Sequence, residues 1–241
     1  ATISASGQLA FCEPNNVVLT ASAGSSWLWS NGATTQAITI SSPAASGAYT
    51  VRVTNSNGCF ATSSATTVTV SARPTVSLSA APYTKLFPGL TTTLTGAVTP
   101  YGSYTYTWMN NGSILNGATA ATIPVTINEL GSYTLTATNS GGCTNISNAV
   151  VIGDSVTAKL FIMPNPNDGQ FQVSYYSTAN SSFTMNVVDA RGAVVYSKFY
   201  SIGAPYQRMD VDIRKHNAGI YTIVLVDKNG KRIVAGNVLI N

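Results

Sequence analysis

Charge is what this sequence has least of. Asp, Glu, Lys and Arg make up 8% of its 241 residues, against about 25% in ordinary globular chains. The formal net charge of +4 and pI near 9.0 are spread thinly, with no basic cluster longer than Arg214-Lys215 or Lys231-Arg232. That excludes the concentrated phosphate attraction a nucleic-acid partner requires. Histidine is nearly absent too: His216 is the single one, so a Ser or Cys nucleophile has almost no base to call on. There is no Cys-x-x-Cys, and no apolar run approaches the roughly 18 residues of a membrane-spanning helix. The start, Ala1-Thr-Ile-Ser, lacks the charged-then-apolar pattern of a signal peptide. It is read as a mature N-terminus or a cut from something longer.

In place of charge stand Ser, Thr, Ala, Asn and Gly, a composition suited to strands wetted by hydroxyls. Hydrophobic residues reach 44%, enough for one to three cores at this length. Three cysteines in such a chain point to an oxidising compartment.

An internal repeat organises the first part of the chain. Tyr49-Thr-Val-Arg-Val-Thr-Asn-Ser-Asn-Gly58-Cys59 matches Tyr133-Thr-Leu-Thr-Ala-Thr-Asn-Ser-Gly-Gly142-Cys143, each preceded by a glycine, Gly47 and Gly131. Upstream, Trp29-Ser-Asn-Gly32 answers Trp108-Met-Asn-Asn-Gly112, and Val18-Leu19-Thr20 answers Thr93-Leu94-Thr95. Each copy reads as short alternating strands separated by turn residues. The pattern resembles an immunoglobulin-like sandwich, with Trp29 and Trp108 packed between sheets and Tyr49 and Tyr133 where such folds place a corner-tying tyrosine. The expected fold is all-β, three tandem immunoglobulin-like β-sandwich domains: 1–72, 73–153 and 154–241. No helix of any length is expected.

Within the first copy, a Cys12 to Cys59 bridge would close a loop of about 48 residues and stabilise by about 4 kcal/mol on the chain-entropy model. The position in the second copy that aligns with Cys12 lies near Phe87. Cys143 is therefore left without a partner in its own module. It is read as an unpaired, buried thiol or as a cross-link to another chain or module.

The last stretch differs chemically. Outside it the only charged residues are Arg52, Arg73, Lys85, Glu13 and Glu129. Seven strands are expected, near 160–163, 171–176, 183–188, 193–199, 207–213, 219–227 and 231–240, the last two joined by a two-residue turn at Asn229-Gly230. Three motifs occur in order: Pro164-Asn165-Pro166 followed by Gly169 and Phe171, then Val187-Val188-Asp189-Ala-Arg-Gly192, then Gly219-Ile220-Tyr221. Together they resemble the C-terminal sorting domain of type IX secretion cargo of the Bacteroidetes. That resemblance implies export across the outer membrane to the cell surface, with the type IX machinery as partner, and a cut near Gly153 to Lys159 if the tail is removed. Asp154-Ser155-Val156 resembles the O-glycosylation sequon of exported proteins of that group, marking Ser155 as a glycan site.

No catalytic or metal-binding constellation emerges. Asp210-Val-Asp212 alternates along a strand instead of flanking a cleft. Asn167-Asp168-Gly169 offers one carboxylate where calcium needs six to eight oxygens, and reads as an Asx turn. Trp27, Trp29, Tyr104, Tyr106 and Trp108 suggest sugar stacking, but the repeat places Trp27 and Tyr106 with the core aromatics. No cofactor is expected. The sequence thus points to a noncatalytic structural or adhesive surface protein, its low charge favouring self-association or packing against neighbouring modules. The alternatives are the stalk of a secreted hydrolase and a carbohydrate-binding module.

Overall fold

The computed structural model describes residues 1–241. Two single 3-10 turns, Pro43–Ala45 and Ile127–Glu129, interrupt an otherwise all-β chain. It divides into two compact units: Ala1–Ser79, Thr95–Ala121 and Tyr133–Ala149 form one, and Ala80–Leu94, Thr122–Ser132 and Val150–Asn241 the other. The second repeat contributes to both.

In the first unit, the first repeat forms a sandwich. Strands Ile3–Ala5, Val17–Ala21 and Ala37–Ile40 make one sheet, and Ala10–Cys12, Thr66–Ser71 and Gly47–Tyr49 belong to the other. The second of these faces continues through Phe60–Thr62, Val51–Thr54 and Ser26–Trp29. Strict alternation drives the arrangement, since Val17, Leu19 and Ala21 are buried while Val18 and Thr20 are half-exposed. The period of two puts every second side chain into the core, where Trp29, Ile38, Val51, Val53 and Val68 join them. Ala10–Cys12 runs parallel to Thr66–Ser71, with Cys12 opposite Ser71.

A buried serine manages the point where the late strand changes partner. Val51 N–H donates to Ser63 Oγ at 3.1 Å, and Ser63 N–H donates to the Val51 carbonyl. The second repeat reproduces this with Leu135 and Ser147. Its strand Gly131–Thr138 pairs with Thr105–Asn110, Trp108 opposite Leu135, and with Thr144–Ile146.

In the second unit, the tail is a sandwich of its own. A three-stranded sheet, Phe161–Met163, Gln170–Ser174 and Met209–Asp212, and a four-stranded sheet, Val194–Ser201, Ser182–Val188, Gly219–Val226 and Arg232–Ile240, enclose one core. All seven strands lie within a few residues of their expected positions. Elsewhere in this unit Lys85–Leu86 pairs in parallel with Val150–Asp154.

Four hairpins share one turn. Asn55, Asn139, Asp189 and Asp227 each exchange backbone bonds with the residues three and four positions on, and each side-chain Oδ1 accepts two further backbone N–H groups. Each turn closes on a glycine in the left-handed region, Gly58, Gly142, Gly192 and Gly230, where a Cβ is costly. This alters the expected two-residue turn at Asn229-Gly230. Asp227 N–H donates to the Lys231 carbonyl, so the loop holds three residues and a bulge follows at Leu225/Val226. The Asp227 carboxylate, accepting from Asn229 and Lys231 at 2.9 Å, favours that longer turn.

The cysteine pairing also differs from expectation. The bond joins Cys12 to Cys143, not Cys12 to Cys59, and Cys59 is a free, exposed thiol. Cys12 lies beside Ser71, at one end of the last strand pair, whereas Cys59 sits in the turn at the other end. The strand path between Cys59 and Ser71, at about 3.3 Å per residue, spans tens of ångströms. A disulfide tolerates a Cα separation of only about 7 Å. Cys143 is accordingly buried but not an unpaired thiol.

Candidate functional site

Two arrangements stand out, one in each unit. The first is the contact between the repeats. Cys143 and Cys12 are bonded with their Cα atoms 5.6 Å apart. Around the bond, Asn139 Nδ2 donates to the Ala72 carbonyl and Asn145 Nδ2 donates to the Pro74 carbonyl, both at 2.9 Å. Asn148 then brackets Leu78, accepting from its N–H and donating to its carbonyl. Three asparagine side chains and a disulfide thus hold the segment that leads out of the first repeat.

The second arrangement is in the tail, where the first motif is tied to the final strand and the third opens the strand paired with it. Asn165 Nδ2 donates to the Asn237 carbonyl, and Leu239 N–H donates to Asn165 Oδ1. Asn167, buried among these turns, donates through Nδ2 to the Pro164 carbonyl and accepts from Gly169 N–H at 2.7 Å. Its backbone meets both Leu239 and Asn241. Pro164 and Pro166 thus flank an asparagine that pins the C-terminal strand. Gly169 has φ +98° and faces Arg214, so a Cβ there would lie 2.9 Å from that residue's backbone. Phe171 fills the core beneath. Gly192 closes one of the four shared turns. Gly219, at φ +154°, opens the strand on which Tyr221 is buried.

Tyr221 donates its hydroxyl to the Asn217 carbonyl, four residues upstream. Tyr49 does the same to Ala45, which is the corner tie of an immunoglobulin-like fold. The Gly-x-Tyr opening and the Asx turn that ends the hairpin occur in both repeats and in the tail alike. The tail was legible as a distinct segment by its motifs. Gly219-Ile-Tyr221 beside Gly131-Ser-Tyr133 and Gly47-Ala-Tyr49 is the local signal of the immunoglobulin-like plan expected for the tail as for the repeats.

The remaining sequence candidates fall as follows. Trp29 and Trp108 are buried, and their indole N–H groups donate at 2.8 Å to the Thr35 and Ala120 carbonyls. Tyr133 is buried at 1% exposure. Trp27 and Tyr106 are half-buried, and the Trp27 N–H is taken by the Ser22 carbonyl. Ser155 is half-exposed; its N–H donates to the Leu86 carbonyl and its own carbonyl accepts from the Tyr206 hydroxyl. His216 lies at an exposed turn with Arg191, Lys215 and Asn217 around a 390 Å³ depression. Asp212 is bound by the Arg214 guanidinium at 2.7 Å, which, with the Arg214 N–H, holds its carboxyl well below the usual range. Asp189 is lowered chiefly by the Ala193 N–H. Burial raises the Tyr200 and Tyr206 phenols. No three His, Cys, Asp or Glu side chains group closely enough to hold a metal ion.

The fold and these ties define a chain of immunoglobulin-like β-sandwiches whose last member carries a clamped C-terminal strand. Residues 161–237 match the secretion system C-terminal sorting domain. The tail is therefore a sorting domain of the type IX kind, and the chain is exported across the outer membrane to the cell surface or extracellular space. No helix is long and apolar enough to cross a membrane. No curated protein matches the sequence. Solved structures similar to it include murine CEACAM1b, at 17% identity over 63% of this chain and 98% of that one, TM-score 0.38. A three-domain segment of titin aligns at 11% identity over 96% of this chain and 94% of its own, TM-score 0.34. The three N-terminal domains of the highly immunogenic outer capsid protein of bacteriophage RB49 align at 10% identity over 98% and 96%, TM-score 0.31.

Proposed function

We propose that the chain is a noncatalytic structural or adhesive component of the cell surface, built as three sandwich domains, 1–72, 73–153 and 154–241, and delivered by the last of them. The observation that carries this reading is the stapled contact between the repeats. A tether alone leaves two modules free to swing, whereas the Cys12–Cys143 bond and the asparagine ties to Ala72 and Pro74 hold one against the next. That is what a part that bears load, or holds a surface at a set distance, requires. The scarcity of charge on the repeats favours self-association or packing against neighbouring modules, and Ser155 is proposed as a site for an O-linked glycan.

The test separates this role from its rivals. In a type IX-competent producing strain, residues 1–153 are deleted with the tail kept. Loss of surface filaments or of adhesion, with secreted hydrolase activities unchanged, is the expected result. A fall in one such activity would instead make the repeats a stalk. Glycan binding that disappears in Trp27→Ala at unchanged stability would make them a carbohydrate-binding module.

A further inference from the structure

The two repeats end their late hairpins in the same turn, but only one of these turns is engaged. In Asn139–Cys143 the cysteine is 1% exposed and bonded to Cys12, and the asparagine amide reaches Ala72. The backbone bonds of Asn55–Cys59 duplicate those of Asn139–Cys143 one for one. Cys59 therefore occupies the place in its module that Cys143 occupies in the next. Yet Cys59 is free and exposed. Beside it Phe60 is 65% exposed, covered only by the Arg52 guanidinium 4.9 Å above its ring. Ala1 lines the depression that Asn55, Cys59 and Phe60 border, as Ala72 and Pro74 lie against Asn139 and Asn145.

We propose that Cys59 is half of a second covalent joint of the same design, whose other half is an immunoglobulin-like module N-terminal to Ala1 in the same polypeptide, with a cysteine where the first repeat has Cys12. The existing joint defines that position: the end of a short strand running parallel to the last strand of its module, as Cys12 lies opposite Ser71. A second copy of the chain cannot supply it, because its Cys12 is already bonded to Cys143. Nor can the Cys12 of the same chain, at the far end of the sandwich. The equivalent position in the second repeat is Phe87, one residue past the Leu86–Asp154 pair as Cys12 is one past Phe11–Val70. It bears a ring stacked on Phe161 at 5.4 Å. Covalent joints are thus a feature of the N-terminal side, replaced by aromatic packing next to the sorting domain. Each joint converts two thiols to one disulfide, releasing two protons and two electrons. The oxidant is the disulfide of a thiol–disulfide oxidoreductase, which leaves as a dithiol. The inference goes beyond the surface role and is independent of what the surface contacts.

Protein taken from producing cells provides the test. Free thiols are blocked with iodoacetamide before unfolding, and the digest is mapped by mass spectrometry before and after reduction. The Cys59 peptide should escape labelling until reduction, and should be recovered joined to a peptide of the same polypeptide from N-terminal to Ala1. A labelled Cys59 overturns the proposal, as does a bond from Cys59 to Cys12, to another Cys59 or to a different protein. In the C59S variant the joined peptide should vanish while the Cys12–Cys143 bond and the thermal unfolding of the chain stay as they were. Loss of the Cys12–Cys143 bond in that variant would also count against it.

Discussion

Gly169 is the residue on which the sorting motif is least replaceable. Its φ of +98° is one that side chains rarely adopt, and the space a Cβ would need is occupied by the Arg214 backbone. Gly169→Ala should destabilise the tail by about 1–3 kcal/mol, read as an earlier transition in denaturant; an unchanged midpoint would contradict the geometry. Asp189 makes a different case, since Asn55 and Asn139 build the same turn with an amide. Asp189→Asn should therefore leave stability near neutral pH almost unchanged. Its carboxyl is held below the ordinary range, first by the Ala193 N–H and then by Arg191. A group depressed on folding stabilises above its unfolded value, near 4, and the contribution is lost as pH falls through the folded one. The wild-type tail should lose this increment on acidification, and the Asn variant should not. Parallel acid-denaturation curves for the two would refute it.

Among elements, the late hairpin of each repeat is where sequence and structure can be compared most closely. Its turn is spelled by Asx followed three places on by glycine, and its corner by Gly-x-Tyr, so both are local and legible. The serines that bridge the change of partner are not. Ser63 and Ser147 look like any hydroxyl in a Ser- and Thr-rich chain, and only the pairing of distant strands reveals that each sits buried against a backbone N–H. The equivalence of the two copies contained the signal, since both serines follow their cysteine by four positions. Removing the hydroxyl leaves a buried donor without its partner, which costs about 1–3 kcal/mol. Ser147→Ala and Ser63→Ala should each lower stability by that amount in thermal or chemical unfolding. Ser64→Ala, which removes a neighbouring exposed hydroxyl, should have little effect.

Across the whole molecule, the cysteine pairing was the part that sequence could not settle, because three cysteines allow three single bonds and loop length favours none decisively. Charge, in contrast, was fully legible, and it bears on assembly. The side-chain ion pairs Arg208–Asp210 and Arg214–Asp212 lie in the tail, and the repeats carry only five charged residues, so they have little with which to repel a neighbour or to be screened by salt. The edges through which they would associate are now defined. Thr50 and Thr134, natural choices from the repeated Tyr-Thr pattern, are not on edges: Thr50 lies where the late strand changes partner, and Thr134 is on a strand paired with Thr105–Asn110. Exposed edge positions include Thr39, on Ala37–Ile40, and Leu28, on Ser26–Trp29, each strand at the end of its sheet. Lysine on such an edge opposes strand addition, through both its charge and its bulk. If the repeats mediate assembly, light scattering and electron microscopy of the intact protein should find particles that persist from low to high salt. The same particles should disperse in Thr39→Lys or Leu28→Lys with the melting temperature of the monomer preserved. Wild-type protein that stays monomeric at high concentration would remove assembly from the surface role, and assemblies that dissolve in salt would place their cohesion in the charged tail instead.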